Sequence, residues 1–463
     1  MIRLFSRYWA KPAFVSLLVE AALFFAAIPL GTYLRLGIGP GSPPSLDVVL
    51  WEAGIFAAVG LLSLYANGLY DFGERLSTRM LFIRLVRAFC VGAVALFAIY
   101  FLFPNILIGR GVFAIALIYT AAAIATWRFL LRVVLRSDQF AERILIVGAD
   151  SKAIDIARET LSRKHLGYRI VGFLSDDPAL QGVSLINPRV IGTTAQARDL
   201  ALQHGVSRVV VAALDHRGRL SMDSLLDCKT SGVTVQEGST FYEQLTGKIM
   251  VEGLRKSWLI FSDGFVVSRG VLFFKRLLDL TAASIGLLLA SPLMVLVAIA
   301  VRLDSPGPIL FRQERVGRGG KLFTLAKFRS MRTDAEAQGA QWAVEGDPRV
   351  TRVGRFIRAT RLDELPQLWN VLVGDMSLVG PRPERKMFVD QLREQNPFYE
   401  QRLVVRPGLT GWAQIKAPYA SSFEESIEKL KFDLYYIKNL SIFLDISILL
   451  STARIVLLGR GAR

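Results

Sequence analysis

Apolar residues run in four blocks of about 20 along the first third of the chain, at Phe14–Leu34, Leu46–Ala66, Leu81–Phe103 and Val112–Leu131. Each is long enough to cross a hydrocarbon core of about 30 Å at about 1.5 Å per helical residue. Further spans follow the first block and no small-residue cleavage site stands out, so it reads as a span and not as a signal peptide. Arg3, Arg7 and Lys11 precede the first block, Arg75, Arg79, Arg84 and Arg87 lie between the second and third, and Arg128, Arg132 and Arg136 follow the fourth. The other two connections carry only Arg35 and Arg110. By the excess of Lys and Arg in cytoplasmic loops, the N-terminus and everything after residue 136 are expected on the cytoplasmic side.

The pattern then changes period. Arg143–Gly148, Tyr168–Leu174 and Arg208–Ala213 read as buried strands, with helical periodicity over Lys152–Arg163 and Thr194–His204. Alternating strand and helix predicts a parallel-sheet, Rossmann-like domain over 137–260. Its first turn, Gly148-Ala149-Asp150-Ser151-Lys152-Ala153, keeps only the first glycine of G-x-G-x-x-G. Asp150 puts negative charge where a pyrophosphate would sit, which favours a structural or regulatory module over a dinucleotide site.

A fifth apolar run, Leu277–Val301, has Asp279 near its start and Ser291-Pro292 inside, with Lys275 and Arg276 before it and Arg302 after. A full span would put the basic residues of 302–463 outside; a helix that breaks at Pro292 and returns keeps both basic ends inside. The run is therefore expected to be re-entrant over about 275–303, the alternative being a kinked fifth span. The tail, Leu440–Leu458, carries Asp445 and Arg454 and fits either an interfacial helix or one packed on the preceding domain.

Composition sharpens this reading. The 463 residues are 52% hydrophobic with a mean hydropathy of +0.39, yet 56 Lys and Arg against 39 Asp and Glu give a net charge of +17. A nucleic-acid binder could share the charge but not the apolar runs, whereas a membrane protein facing anionic lipid or phosphorylated substrates shares both. Two cysteines, Cys90 and Cys228, and three scattered histidines, His165, His204 and His216, argue against a disulfide framework and against a Cys- or His-rich metal centre.

Candidate chemistry concentrates in Asp363-Glu364-Leu365-Pro366-Gln367-Leu368-Trp369-Asn370, two adjacent carboxylates beside Arg352, Arg355, Arg358 and Arg361. One reading is a capped helix start, with Asp363 as N-cap, Glu364 serving the helix dipole and Pro366 in the first turn. The other is catalysis on an anion, since a carboxylate is a competent nucleophile toward phosphorus.

Around this run stand Gly307-Pro308-Ile309-Leu310-Phe311-Arg312-Gln313, Lys327-Phe328-Arg329-Ser330-Met331-Arg332, Gly374–Glu384 with its Gly380-Pro381-Arg382-Pro383, and Arg406-Pro407-Gly408-Leu409-Thr410-Gly411-Trp412-Ala413-Gln414. Together they resemble the bacterial sugar transferase family, the monotopic phosphoglycosyl transferases, over about 272–463. The N-terminal half resembles, more loosely, the long form of that family, the polyprenyl-phosphate hexose-1-phosphate transferases that initiate exopolysaccharide or O-antigen synthesis. The fold class implied is a membrane protein, α plus α/β. It has four transmembrane helices in 1–136, the Rossmann-like domain in 137–260, and a mainly helical catalytic domain with its re-entrant helix in 261–463.

The resemblance implies transfer of a hexose 1-phosphate, glucose or galactose first, from a UDP-sugar to undecaprenyl phosphate with release of UMP. In that reading Asp363 is the nucleophile and Glu364 the acid associated with Mg²⁺. Lys327, Arg358 and Arg382, and secondarily Arg329 and Arg361, contact phosphate, while Ser291 and Pro292 break the re-entrant helix. Gly408 and Gly411 are expected in turns, and Trp412 in the core in preference to a stack on uracil. Membrane lipids, a second copy of the chain and downstream glycosyltransferases are the further partners, and the bacterial inner membrane the location, with the catalytic domain cytoplasmic. Two other readings stay open. A membrane-anchored NAD-dependent sugar-nucleotide dehydratase or epimerase is opposed by the missing glycines and the lack of a Tyr-x-x-x-Lys pair in 142–250. A non-catalytic scaffold of a polysaccharide assembly complex is the third.

Overall fold

The computed structural model describes residues 2–4, 7–9, 11–36, 45–70, 78–103, 108–136, 141–163, 166–212, 221–251, 262, 264–265, 268–335, 347–417 and 423–457. It divides into two compact units, chiefly Tyr8–Thr246 and Gly247–Arg463.

In the first unit the four apolar blocks are helices, Lys11–Leu36, Leu46–Ala66, Thr78–Leu102 and Arg110–Arg136, each long and apolar enough to cross a membrane. Their shared core includes Phe24, Phe56, Leu96 and Ile124. Two arginines counted above among the loop charges are instead buried. Arg128 donates to both carboxylate oxygens of Glu20, at 2.5 and 2.9 Å, and to the Leu69 carbonyl. Tyr70 completes the set by donating to Glu20 at 2.6 Å, and Arg84 donates to the Gly68 carbonyl. A charge this deep in an apolar bundle is tolerable only when paired, which is what Glu20 supplies.

Five parallel strands follow: β1 (Glu142–Val147), β2 (Tyr168–Leu174), β3 (Val190–Gly192), β4 (Arg208–Val211) and β5 (Thr234–Glu237). Their order, β3-β2-β1-β4-β5, is that of a doubly wound sheet, as the alternating pattern predicts. At the end of β1 Asp150 caps the helix Ser151–Ser162 by accepting from the Ala153 amide at 3.0 Å. The helix N-terminus where a phosphate would bind is thus occupied by the chain's own carboxylate.

In the second unit Gly247–Val251 already packs on the C-terminal core, ahead of the boundary expected at 260: Ile249 donates to the Lys431 carbonyl, and Trp412 Nε1 donates to the Gly247 carbonyl. Trp412 is buried and stacked on Tyr435, the core position expected of it.

The fifth apolar run lies in one helix of 36 residues, Arg269–Asp304. It does not unwind at Pro292. Proline has no N–H to give to the carbonyl four residues back, and the Ser291 hydroxyl donates to that carbonyl, Leu288 O, at 2.8 Å. Both ends of the helix are tied to the same unit. Near its start Arg276 donates to the Val371 and Leu372 carbonyls, and Asp279 accepts from Ser377 Oγ and the Leu378 amide. At its far end Asp304 accepts from the Val353 amide. The tail helix Ile442–Leu457 packs on this unit as well, through the buried trio of Asp445, Lys275 (2.7 Å) and Tyr436 (2.8 Å).

The hairpin β6 (Leu310–Val316) and β7 (Leu322–Phe328) carries Lys327, and the parallel pair β8 (Ser377–Val379) and β9 (Gly408–Thr410) aligns the two glycine-rich motifs. Gly408 and Gly411 are not turn glycines of positive φ. They allow backbone to meet backbone: a Cβ on Gly408 would lie 2.1 Å from the Gly380 amide, and one on Gly411 would lie 2.2 Å from the Gly380 carbonyl oxygen.

Gly408→Ala should therefore cost about 3 kcal/mol, the upper range for overpacking. For a unit of this size that is a fall of about 6–12 °C in melting temperature. Gly270→Ala, whose nearest contact would be 3.8 Å away, should change stability by less than about 0.5 kcal/mol. Thermal denaturation of both variants in detergent checks this.

Candidate active site

Asp363 and Glu364 are not at a capped helix start. They form a short 3-10 turn, Leu362–Glu364, and the helix Gln367–Val373 begins after it at Pro366 without a side-chain cap. Three features hold the turn. The amphipathic helix Arg352–Ala359, capped by Thr351, ends immediately before it. Asn370, from the helix after it, accepts from the Ala326 amide and donates to the Thr324 carbonyl, fastening the turn to strand β7. The third is backbone strain: Arg361 has φ +61°, in the left-handed region where glycine is usual after a helix. A non-glycine residue there costs on the order of 1–3 kcal/mol. Its guanidinium, 3.8 Å from Glu364, gives a reason for an arginine at that place.

The turn lies on a cavity of about 1020 Å³ whose lining includes Lys327, Arg329, Arg358, Arg361, Asp363, Glu364 and Arg382. All seven candidates thus meet in one place. Glu364 is the hub: Lys327 Nζ at 3.3 Å, Arg382 at 3.4 Å and Arg361 at 3.8 Å all approach its Oε1. Burial alone would raise its pKa, but the positive charges of Lys327, Arg382 and Arg361 override this and hold it down at about 2. Asp363, 8% exposed, goes the other way. Burial, and then the negative charge of Glu364, push it up to about 6 against the opposing pull of Lys327, Arg358 and Arg361.

Arg329 is differently employed. Its guanidinium closes the end of the 36-residue helix, donating to the Ser305, Pro306 and Val301 carbonyls and to Ser305 Oγ. Ser291 and Pro292 lie within that helix, outside the cavity lining. Among the described residues no group of three or more His, Cys, Asp or Glu side chains forms a metal cluster. A hard cation would have the second oxygen of Glu364 as its carboxylate donor, a sparse site that suits Mg²⁺ when phosphates complete its shell. Sequence reasoning missed Arg315, Tyr399, Arg402 and Asp433, which also line the cavity. They stand in no motif built around the carboxylates, so only their tertiary contacts reveal them.

Residues 271–459 match the family model described as bacterial sugar transferase, and residues 65–227 match one described as a CoA-binding domain. The chain is 35% identical over 324 residues, 69% of its own length and 68% of the relative's, to the UDP-glucose:undecaprenyl-phosphate glucose-1-phosphate transferase of Escherichia coli (strain K12). It is 46% identical over 239 residues to the UDP-N-acetylgalactosamine-undecaprenyl-phosphate N-acetylgalactosaminephosphotransferase of Aeromonas hydrophila, a match covering 52% of this chain and only 56% of that protein. The chain belongs to the bacterial sugar transferase family.

The raised pKa of Asp363 has a measurable consequence. A carboxyl whose folded value (about 6) exceeds its ordinary one (3.8) lends stability that is complete below about pH 4 and lost as pH rises through 6. Asp363→Asn removes that loss. The variant should be more stable than the wild type by about 2–3 kcal/mol at pH 8, with the difference vanishing near pH 4. Melting temperatures of the pair across that range provide the check.

Proposed function

We propose that the protein transfers a sugar 1-phosphate from a UDP-sugar to undecaprenyl phosphate, releasing UMP, as the initiating step of exopolysaccharide or O-antigen synthesis. The observation that carries this reading is a buried carboxylate, Asp363, with no ion pair among the described residues, beside a carboxylate that gathers three cations. The names of the relatives, which include glucose and N-acetylgalactosamine transferases, point to a UDP-hexose or UDP-N-acetylhexosamine donor.

In the mechanism a carboxylate oxygen of Asp363 forms a bond to the β-phosphorus. The bond from that phosphorus to the bridging oxygen breaks, and UMP departs with the bridging oxygen. An oxygen of undecaprenyl phosphate then attacks the same phosphorus and the Asp363–phosphorus bond breaks, regenerating the carboxylate and leaving a lipid diphosphate sugar. Lys327, Arg382 and Arg361 bind the diphosphate, exchanging Glu364 for phosphate oxygen as their anion, while Arg358 keeps Asp363 partly ionised. Glu364 would hold Mg²⁺, which supplies charge neutralisation of the phosphates when bound. Arg329 orients the site indirectly, by fixing the end of the long helix.

The same unit supports a re-entrant helix. Straight, 36 residues would reach about 54 Å, yet both ends are tied to the elements that flank Asp363. Its middle is bare: Leu288 and Leu289 are each 74% exposed. Phe356 and Trp369, on the two short helices bracketing Asp363, are more than 60% exposed and suit the headgroup level. We therefore read four spans in 1–136, a Rossmann-like module in 137–260 and a membrane-dipped catalytic domain in 261–463, facing the cytoplasm at the bacterial inner membrane. A homodimer and downstream glycosyltransferases remain the expected partners.

Membranes carrying the wild type should release UMP from one member of a UDP-sugar panel, with kcat/KM falling below an acid limb near pH 6 as Asp363 protonates. Asp363→Asn should lower turnover at least about 1000-fold, and chelation of divalent ions should abolish it. Near-normal lipid-linked product from the variant removes Asp363 as nucleophile; release of UDP in place of UMP indicates an ordinary glycosyltransferase.

A further inference from the structure

The segment Pro381-Arg382-Pro383-Glu384 has each of its four successive carbonyls held, from three separate parts of the unit. The Gly408 amide donates to Pro381 O at 2.9 Å, and the Val316 amide donates to Glu384 O at 3.0 Å. The two carbonyls between them are taken by side chains. Arg402 donates to Arg382 O at 2.9 Å, and Arg315 donates to Pro383 O at 3.2 Å. Pro381 and Pro383 have no N–H and a fixed φ, so the segment cannot join a strand ladder on its own account and relies on these donors. Arg402 is itself fixed. It is 7% exposed, pairs with the buried Asp433 at 2.9 Å, and donates to Tyr399 Oη.

A buried arginine paired one-to-one with a carboxylate is weak evidence for stability as such. Its further donors, spent on the carbonyl of Arg382, the residue of this segment whose side chain reaches Glu364, give it a more specific task.

We propose that Arg402, locked by Asp433, and Arg315 are positioning residues that hold the Arg382 backbone so that its guanidinium meets the substrate diphosphate. The proposal rests on the assignment of Arg382 to phosphate under the proposed function. Neither residue need touch substrate to act, because holding the carbonyl of Arg382 and the carbonyl of the residue after it fixes the backbone from which the Arg382 side chain projects. Lysine at either position keeps the charge but loses the planar fork that serves two acceptors at once.

The test is a double-mutant cycle on the full chain in detergent, with the dissociation constant of UDP as readout. Arg402→Lys and Arg315→Lys should each weaken UDP binding ten- to a hundredfold, the loss expected when a charged contact is displaced by about 1 Å. In an Arg382→Ala background the same substitutions should cost nothing further. Losses that add in that background overturn the proposal alone. A wild type with no affinity for UDP, or an Arg382→Ala variant that binds UDP as the wild type does, overturns the assignment of Arg382 and this proposal together. If Arg402→Lys does not fold, the Arg315→Lys arm reads the same coupling.

Discussion

A cavity lined by this many cations could not fold around empty space; it needs an anion of its own. For the cations nearest the carboxylate pair, Glu364 is that anion. Lys327, Arg361 and Arg382 come from a strand, a strained helix end and a proline-bounded segment, and all three converge on one carboxylate oxygen. Partly buried cations this close together would repel one another without an anion between them. With Glu364 among them they are held a few ångströms apart, already arranged for a ligand of the same charge.

The same arrangement explains why two neighbouring carboxylates differ so far in acidity. Glu364 takes the close ion pairs and stays ionised at about 2, whereas Asp363 receives burial and its neighbour's negative charge and rises to about 6. Adjacent positions in a turn point in different directions, so sequence proximity does not give them a common environment. One becomes a fixed counter-ion. The other makes no ion pair among the described residues, which suits the role of nucleophile in the proposed reaction.

Much of this was legible in the chain, for identifiable reasons. Runs of twenty apolar residues and the alternation of short strands with helices are local patterns, and both gave helices and a parallel sheet where expected. The motif string brought Lys327, Arg358, Arg361, Arg382, Asp363 and Glu364 to one cavity. What could not be read depends on contacts across the fold. Asp363 looked like a cap because its residue type suits one, and nothing local reveals that Arg361 turns left-handed just before it. Arg84 and Arg128 looked like loop charges until Glu20 and the Gly68 carbonyl, distant in sequence, took them up. Gly408 and Gly411 looked like turn formers, yet their small size serves the approach of β9 to Gly380. Arg402 and Arg315 carried no local signal at all.

The long helix shows how a local irregularity can serve a long-range need. In a plain helix Pro292 would leave the Leu288 carbonyl without its helical donor. The Ser291 hydroxyl fills that gap, so the helix tolerates proline without unwinding. Continuity matters because the two ends do different work: Arg276 grips the end of the helix after Glu364, and Asp304 caps the start of the helix before Arg361. A helix that came apart at its middle would uncouple these anchors, and the turn bearing Asp363 lies between the elements they hold. In the proposed reaction a lipid phosphate confined to the headgroup layer must meet a soluble nucleotide sugar at a single carboxylate. In that proposal, an apolar helix anchored at both ends to that carboxylate's own scaffold would set the depth of Asp363 and its direction by the same contacts.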